Sequence, residues 1–370
     1  MKMCRPTYLP FILLLLCGMT CCTQVDLCPE TEHPHVATIL TEFDWGDWNG
    51  AEEDKPTHMN IVASRILNTW RAHGIADTRT GVVENGMSAP LQAEEAGIFK
   101  LKGGEYNIFA INTREGVVID SLNCYLTHPE AKVDTMYLHL KEMPREALPE
   151  LQGINLPDFN PGYKYIQDAG CIFYSVQKGV NIQTGQSKTL RFDMSPVSQQ
   201  VQVKFKVQTI GDVKVDYIIA EMSGLCGRIN ISEAYLDTAK LYRTIFMFDA
   251  ENGVEQVDND VTTYSASFYT MGIVPSPKES YLTGAGILQL AIFTSSGNKQ
   301  HVFYAGANPR QTIIDAQMMK KENGRTYLNY TDEVVVIELE SPLVIDSGKI
   351  INQEEDNTWF NPQGDINVDI

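Results

Sequence analysis

The chain of 370 residues has no apolar run long enough for a permanent membrane-spanning helix. Such a helix needs about 20 consecutive apolar residues. The apolar stretch 8–16 is much shorter, follows the positive Lys2 and Arg5, and gives way to polar sequence from Thr23 onward. A basic start, a short apolar run and small residues behind it are typical of a cleaved signal peptide rather than a core helix. We therefore expect the chain to leave the cytoplasm.

Positive charge is also scarce. The chain has 29 Lys and Arg residues against 47 Asp and Glu residues, and its formal net charge is −18. Nucleic-acid binding depends on Lys and Arg neutralising phosphates, so this balance argues against it. An acidic surface is consistent with a well-solvated exterior, but charge alone identifies no partner.

The motifs of common enzyme classes are missing. The sequence has no GxSxG elbow, no GxxxxGK[ST] phosphate loop and no HExxH zinc motif. A GxG pair at Gly284 and Gly286 lacks its third glycine, because Gln289 stands there, and it precedes a β-type run. We interpret this pair as a turn. We expect no catalytic residue, no cofactor and no enzymatic activity.

Cysteine occurs at eight positions but never as a CxxC pair, which argues against a zinc ribbon or a thioredoxin-like site. Cys21 and Cys22 lie where a lipoprotein signal peptidase would cut just before an acylated cysteine. Met19, Thr20 and Cys21, which precede Cys22, fit the pattern before such a cut slightly better than the three residues that precede Cys21. We predict lipidation, for example with palmitate, at Cys22, with Cys21 as the alternative and plain secretion as the rival.

The other cysteines of the exported chain are far apart in sequence. In an oxidising compartment they are candidates for one or two disulfides, and four cysteines allow three complete pairings. Buried free thiols are the equal alternative. These cysteines are Cys28, Cys124, Cys171 and Cys226.

Two short patterns invite a metal-site hypothesis. His33 and His35, with Asp26 or Cys28, have side chains that bind transition metals. We favour a solvated tether here. The segment 258–260 (DND) starts like a calcium-binding EF-hand loop, but the rest of that pattern is absent, so we favour an ordinary loop. We predict no metal site.

The four tryptophans are the residues through which a sugar would be bound by stacking. Trp45, Trp48 and Trp70 fall in the first half of the chain and Trp359 lies near its end. Buried strand aromatics are the commoner case. Trp48, beside glycines and acids, is the one that we expect to be exposed.

Short β-type runs recur along the chain, whereas long helical periodicity is scarce. The segment 35–45 is β-branched and aromatic, and Val201 to Val207 alternates apolar and polar residues as a half-buried antiparallel strand does. The segment from Met143 to Tyr163 contains four prolines and is interpreted as a surface connection. Many short strands separated by turns predict an all-β fold of sandwiches.

A further set of stretches spans nearly the whole exported chain. These are 22–28 with His33 and His35, the strand end 43–45, the hairpin 103–112, the segment 220–230, and the closing segments 342–345, 359 and 366–370. Together they resemble the fimbrillin-like lipoproteins of Bacteroidales, in particular the anchor and accessory subunits of surface fimbriae.

The resemblance implies a specific architecture. It predicts a lipoprotein signal peptide over 1–21, a tether over 22–34, and two tandem transthyretin-like β-sandwich domains over 35–196 and 197–370. It also implies attachment to the outer membrane through the N-terminal lipid. Fimbrial subunits in this family join by adding a strand to an incomplete sheet, whose edge has unpaired N–H and C=O groups.

From these observations we predict a surface-exposed outer-membrane lipoprotein that acts as a fimbrial anchor or accessory subunit in assembly or adhesion. One alternative is a glycan-binding lipoprotein of a polysaccharide-uptake system. Another is a polymerising shaft or tip subunit, which would lose an N-terminal strand by proteolysis after Arg65, Arg71 or Arg79.

Overall fold

The protein is described by a computed structural model in which β-structure dominates. Strands make up 56% of it and helices 7%, and the sheets are arranged like sandwiches, so the predicted all-β fold is confirmed. The described residues are 36–46, 48, 50–67, 70–89, 98–114, 116–120, 122–128, 131–249, 251, 253–258, 260–275, 284–352 and 358–362.

The first half contains thirteen strands numbered in chain order and one short α-helix. The strands are β1 (Val36–Asp44), β2 (His58–Arg65), β3 (Arg71–Asp77), β4 (Val83–Ala89), β5 (Lys100–Lys102), β6 (Gly104–Ile111), β7 (Val117–Ile119), β8 (Tyr137–Leu140), β9 (Glu142–Met143), β10 (Lys164–Ile166), β11 (Phe173–Ile182), β12 (Ser187–Asp193) and β13 (Ser195–Pro196). The helix is α1 (Leu122–Thr127), and 3-10 turns lie at Glu52–Asp54, Val133–Thr135, Arg145–Ala147 and Pro149–Leu151.

The second half continues with fourteen described strands and one short α-helix, α2 (Arg310–Asp315). The strands are β14 (Gln199–Thr209), β15 (Lys214–Cys226), β16 (Arg228–Asn230), β17 (Leu241–Phe248), β18 (Val254–Asp258), β19 (Val261–Thr270), β20 (Leu288–Ser296), β21 (Lys299–Ala307), β22 (Met319–Glu322), β23 (Arg325–Leu328), β24 (Val335–Glu338), β25 (Leu343–Asp346), β26 (Lys349–Ile350) and β27 (Trp359–Phe360).

Sequence alternation places the strands and their faces. In β14, every second residue from Gln199 to Val207 is buried and the residues between are half-buried, as the period-2 pattern predicts. The first predicted strand likewise appears as β1. The pair Gly284 and Gly286 lies in a turn before β20, as interpreted from sequence.

Two sheets form a sandwich in the first half. Sheet I has the order β12-β1-β5 and sheet II the order β13-β11-β6-β2-β3-β4. Strand β1 runs parallel to β12 and antiparallel to β5. Side chains of both sheets, including Ile39, Ile61, Ile108 and Phe192, are completely buried in one apolar core.

A larger core lies between the two sheets of the second half. Sheet III has the order β27-β21-β20-β15-β17-β10-β9, and sheet IV has the order β18-β19-β14-β25-β26 with β24 also paired to β14. Phe205 meets the ring of Phe248 edge-on at 5.3 Å and stacks on Tyr264 at 5.6 Å. The same core includes Trp359, which is 1% exposed. Ring pairs of this kind add stabilisation beyond the buried area itself.

Strand pairing crosses the predicted domain boundary at residue 196. Strand β8 pairs with β16, and β10 pairs in parallel with β17. The larger core also takes in Phe109 and Ile111 from sheet II. The division at residue 196 stays a prediction, because these contacts join residues from both sides of it.

The segment 143–163 is more than the surface connection predicted from its prolines. Leu148, Leu151 and Leu156 are buried against sheet III, beside Ile219 of β15. Asn160 is also buried and donates a hydrogen bond of 2.7 Å to Gln289 of β20. The segment therefore covers part of the outer face of sheet III and has an apolar cluster of its own.

Candidate binding sites at a sheet edge and in a cleft

The predicted lipidation and tether positions lie outside the described residues. This applies to Cys22, its alternative Cys21, and the metal candidates Asp26, Cys28, His33 and His35. Within the described part of the chain, no helix has the length and apolar character needed to cross a membrane. Lipidation at Cys22 therefore stays a prediction from the sequence.

Two of the disulfide candidates and the two acids of the calcium-like segment lie within the described residues. Cys171 and Cys226 are free thiols, the first half-buried and the second buried. Asp258 and Asp260 are both exposed. Across the residues that the structure describes, no three His, Cys, Asp or Glu side chains are placed to hold a metal ion.

The tryptophan side chains are less exposed than the polar residues beside Trp48 in the sequence suggested. Trp48, which we expected to be exposed, is half-buried, because its ring packs edge-on against Phe173 at 5.2 Å. Trp45 contacts the same phenylalanine at 4.9 Å. Trp359 is buried and donates a hydrogen bond of 2.9 Å from Nε1 to the backbone oxygen of Ser341. Trp48 also lines a cavity.

Strand β21 has a long edge with few partners among the described residues. One side pairs with β20 along the whole strand, whereas the other side meets β27 only at Gly306 and Ala307. Residues 299–303 therefore have no described strand beside their outer edge. A strand edge of this kind forms a template to which another strand can add.

Features that usually protect a sheet edge are weak in β21. After Lys299 the segment 300–305 carries no Lys, Asp, Glu or Pro, and its pairing with β20 has no bulge. The edge strand β18, in contrast, carries Glu255 and Asp258 and has an irregular register against β19. Charge and bulges discourage strand addition. Strand β21 is therefore the better candidate for an acceptor edge.

A cleft with a cavity volume of about 170 Å³ lies where loops of the two halves meet. Its walls come from the loop after β1 with Trp48, the segment before β11 with Cys171, the start of β14, Tyr269 of β19, and the loop 330–334 before β24. This volume is below the range of about 300–1,000 Å³ that is usual for sites that enclose a drug-sized molecule, so the cleft can take a small group or part of a longer ligand.

The floor of the cleft is fixed by a buried amide. Gln199 is 2% exposed. Its Nε2 donates to the backbone oxygen of Glu333 at 2.9 Å, and its Oε1 accepts from the backbone N–H of Thr331 at 3.0 Å. The Gln199 amide thus makes one donated and one accepted hydrogen bond to the backbone of the loop 330–334, as a neighbouring strand would. The acids of this loop are held at the mouth of the cleft.

One wall of the cleft is a polar and aromatic cluster. Burial and the neighbouring Asp332 carboxylate raise the pKa of Tyr330 to about 12, and Trp48 is hydrogen-bonded to the same hydroxyl. Burial also raises the pKa of the Cys171 thiol, which is hydrogen-bonded to Tyr269. Tyr330 and Cys171 are therefore neutral at pH 7. The negative charge of the lining comes from Asp332 and Glu333, both of which are exposed.

Only part of this cleft had a signal in the sequence. Trp48 was singled out as a sugar-stacking candidate. Tyr330 and Asp332 had no signal, because a loop residue before a short strand has no periodicity to place it. Gln199 forms the floor because it belongs to the buried face of β14.

Comparison with known proteins gives matches among solved structures alone. No described protein family and no curated protein matches the sequence. A candidate adhesin from Bacteroides ovatus is 12% identical, with a TM-score of 0.47 over 87% of this chain and 95% of its own. The fimbrial anchor protein Mfa2 from Porphyromonas gingivalis is 14% identical, with a TM-score of 0.42 over 88% and 95%.

A third match is a candidate polysaccharide-binding protein from Bacteroides thetaiotaomicron. It is 14% identical, with a TM-score of 0.37 over 87% of this chain and all of its own. The kinds of protein found agree with the resemblance drawn from the sequence. All three TM-scores are below 0.5, so the function of this chain is inferred from its own residues.

Proposed function

We propose that this protein is a lipid-anchored subunit of the outer-membrane surface that keeps its first strand and accepts a partner strand at β21. It acts as a fimbrial anchor or accessory subunit in adhesion, by binding rather than catalysis. The observation that carries this proposal is the position of β1 at the centre of sheet I, with no cleavable basic site that would release it alone.

Strand β1 is an integral part of the first sandwich. It pairs with β12 over residues 38–44 and with β5 over residues 36–38. Ala37 and Ile39 are completely buried, and Thr41 is 2% exposed. Removing this strand would open a groove through the core, and refilling that groove with a foreign strand is what a polymerising shaft subunit requires.

The basic residues do not support such a removal. Between Cys22 and Ser64 the only Lys or Arg is Lys55, and it precedes Pro56. Proteases specific for basic residues cleave poorly before proline, because its ring and tertiary amide fit their sites badly. Removal of β1 by itself therefore has no suitable site.

The arginines at which the shaft-subunit alternative places cleavage lie beyond β1, so a cut at any of them would remove more than that strand. Arg71 is 7% exposed, and its guanidinium donates to the backbone oxygens of Tyr125, His128 and Ala131. A cut after Arg65 or after the exposed Arg79 would also remove β2.

The loss of β2 would be severe, because this strand lies between β3 and β6 in the middle of sheet II. Its residues Met59, Ile61, Val62 and Ala63 are completely buried. These positions favour an anchor that keeps its N-terminus over a shaft subunit.

The acceptor edge gives a direct test by hydrogen–deuterium exchange. Alternate amides of residues 299–303 point away from β20, so they should exchange rapidly in the isolated protein. Addition of surface material from the source bacterium should slow their exchange by about tenfold or more, because a partner strand would bond to them. The outward amides of β18 serve as the control and should not change.

Two results would count against this acceptor edge. Slow amide exchange of residues 299–303 in the isolated protein would mean that the chain itself already covers the edge. Protection that appears on β18 or elsewhere, with β21 unchanged, would place the partner on another surface.

A further inference from the structure

The cleft, whose cavity volume is about 170 Å³, has a lining that selects the charge of a ligand. Asp332 and Glu333 lie at its mouth, and no Lys, Arg or His is among the described residues that line it. Phosphate, sulfate and uronic-acid groups would be repelled by these carboxylates and would find no cationic partner inside.

A cationic ligand would find one of its usual partners already engaged. The face of a tryptophan attracts cations. Here the ammonium group of Lys55 already lies 6.0 Å from the ring centroid of Trp48, and Lys55 is paired with Glu52 at 2.7 Å. The chain thus places its own cation beside Trp48, and Asp332 and Glu333 remain as hydrogen-bond acceptors at the mouth of the cleft.

The remaining groups combine apolar contact with hydrogen bonding. Aromatic surface comes from Tyr269 and Tyr330, and Val334 adds an apolar side chain that is 41% exposed at the rim. Carboxylates accept strong hydrogen bonds from hydroxyl groups, and the Gln200 amide, which also lines the cleft, both donates and accepts. A sugar ring offers the matching surfaces, since its C–H face is apolar and its rim carries hydroxyls.

We propose that this cleft binds one end or a short segment of a neutral glycan, with Asp332 as its main hydrogen-bond acceptor. Gln199 acts as a positioning residue, because its amide holds the backbone of Thr331 and Glu333 in place. The site is separate from the β21 edge, so the protein can bind a glycan whether or not a partner strand is attached. This inference goes beyond the proposed anchoring function.

A glycan array with the purified protein, followed by calorimetry on the best oligosaccharide, tests the proposal. The probes are neutral oligosaccharides of glucose, galactose, mannose and N-acetylglucosamine, with uronic-acid and sulfated oligosaccharides and a lysine-rich peptide as charged counterparts. We expect a neutral glycan to bind with a Kd of about 10 μM to 1 mM. Asp332→Ala should weaken this binding at least about tenfold, which is about 1.4 kcal/mol.

Two further variants separate a binding role from a structural one. Tyr330→Phe keeps the ring and removes the hydroxyl that meets Asp332, so it should weaken binding less than Asp332→Ala does. Glu340→Ala removes an exposed acid that does not line the cleft and should bind as the unmodified protein does. The Asp332→Ala and Glu340→Ala variants should have the melting temperature of the unmodified protein, since both side chains are exposed.

Three outcomes would overturn the proposal: no binding of any neutral glycan, equal binding by Asp332→Ala, or a preference for the charged probes. A lysine-rich peptide that binds and is lost with Asp332→Ala would identify a cation site instead. Neither membrane nor partner is needed for these measurements. A negative result in the glycan measurements therefore does not affect the anchoring proposal. A negative result in the anchoring tests likewise does not affect the glycan proposal.

Discussion

Replacing Arg243 by methionine is expected to lower the free energy of unfolding by about 3–5 kcal/mol, the usual cost of breaking a buried ion pair. Arg243 is 3% exposed, and its Nη1 donates to Asp158 at 2.7 Å and to Glu221 at 3.0 Å. Its guanidinium also lies 3.9 Å from the ring centroid of Tyr165. The variant leaves the buried Glu221 carboxylate without a counter-ion. Urea unfolding followed by tryptophan fluorescence measures the loss.

The double variant Glu221→Leu with Arg243→Met is the matched control. It removes both buried charges, so its loss should be smaller than that of Arg243→Met alone. If the two single losses simply add in the double variant, the pair is not coupled and this account of the network is wrong.

The pH dependence of the Arg243→Met variant follows from Glu221. Burial raises the pKa of Glu221 above its ordinary value, and Arg243 opposes that rise. Without Arg243, the folded state favours the protonated carboxyl more strongly. A group whose pKa is raised on folding destabilises the protein above that pKa, and acidification removes the penalty. The stability difference between the variant and the unmodified protein should therefore shrink as the pH falls.

Replacing Cys22 by alanine is expected to move the protein from the membrane fraction to the soluble fraction. Each buried CH₂ of an acyl chain contributes about 0.8 kcal/mol of membrane binding, and several chains together give stable attachment. In the proposed function these acyl chains are the anchor, so their loss should remove the attachment. Fractionation with palmitate labelling measures the effect.

Cys21→Ala is the control for this experiment, because it removes the neighbouring thiol and leaves the predicted acceptor. It should remain labelled and bound to the membrane. If Cys21→Ala is lost from the membrane while Cys22→Ala is retained and labelled, the acylated residue is Cys21. If the protein and its Cys22 variant both stay in the membrane without label, the lipid anchor is wrong.

Local patterns in the sequence were enough to place many strands. The alternation of Val201 to Val207 fixed both the existence of β14 and its buried face, and the β-branched run before Trp45 fixed β1. Period-2 alternation is a property of one strand against one core, so it can be read without knowing the partner strand.

The pairing of distant strands could not be read in the same way. Strands β9 and β10 are too short to show a pattern, and β10 joins β17 across more than seventy residues of sequence. The proline-rich segment before β10 looked like an exposed connection, because prolines mark breaks in regular structure without telling what the intervening leucines contact. Arg71 shows the same limit, since its burial depends on carbonyl groups of a helix end some fifty residues away.

The cleft was still harder to predict. Trp48, Gln199, Tyr269 and Asp332 come from four separate segments, and each alone is an ordinary surface or strand residue. Their convergence depends on how the loops of the two halves meet. One aromatic residue of the cleft could therefore be predicted from the sequence, whereas the acids and the amide around it were found only from the fold.

The most direct test of the anchoring account is the intact mass of the protein extracted from outer membranes of the source bacterium. We expect a chain that begins at an acylated Cys22 and retains Arg65 and Arg79 within one uncut polypeptide. A chain without lipid that begins just after Arg65, Arg71 or Arg79 would contradict the account. It would identify a subunit that is activated by losing its first strands.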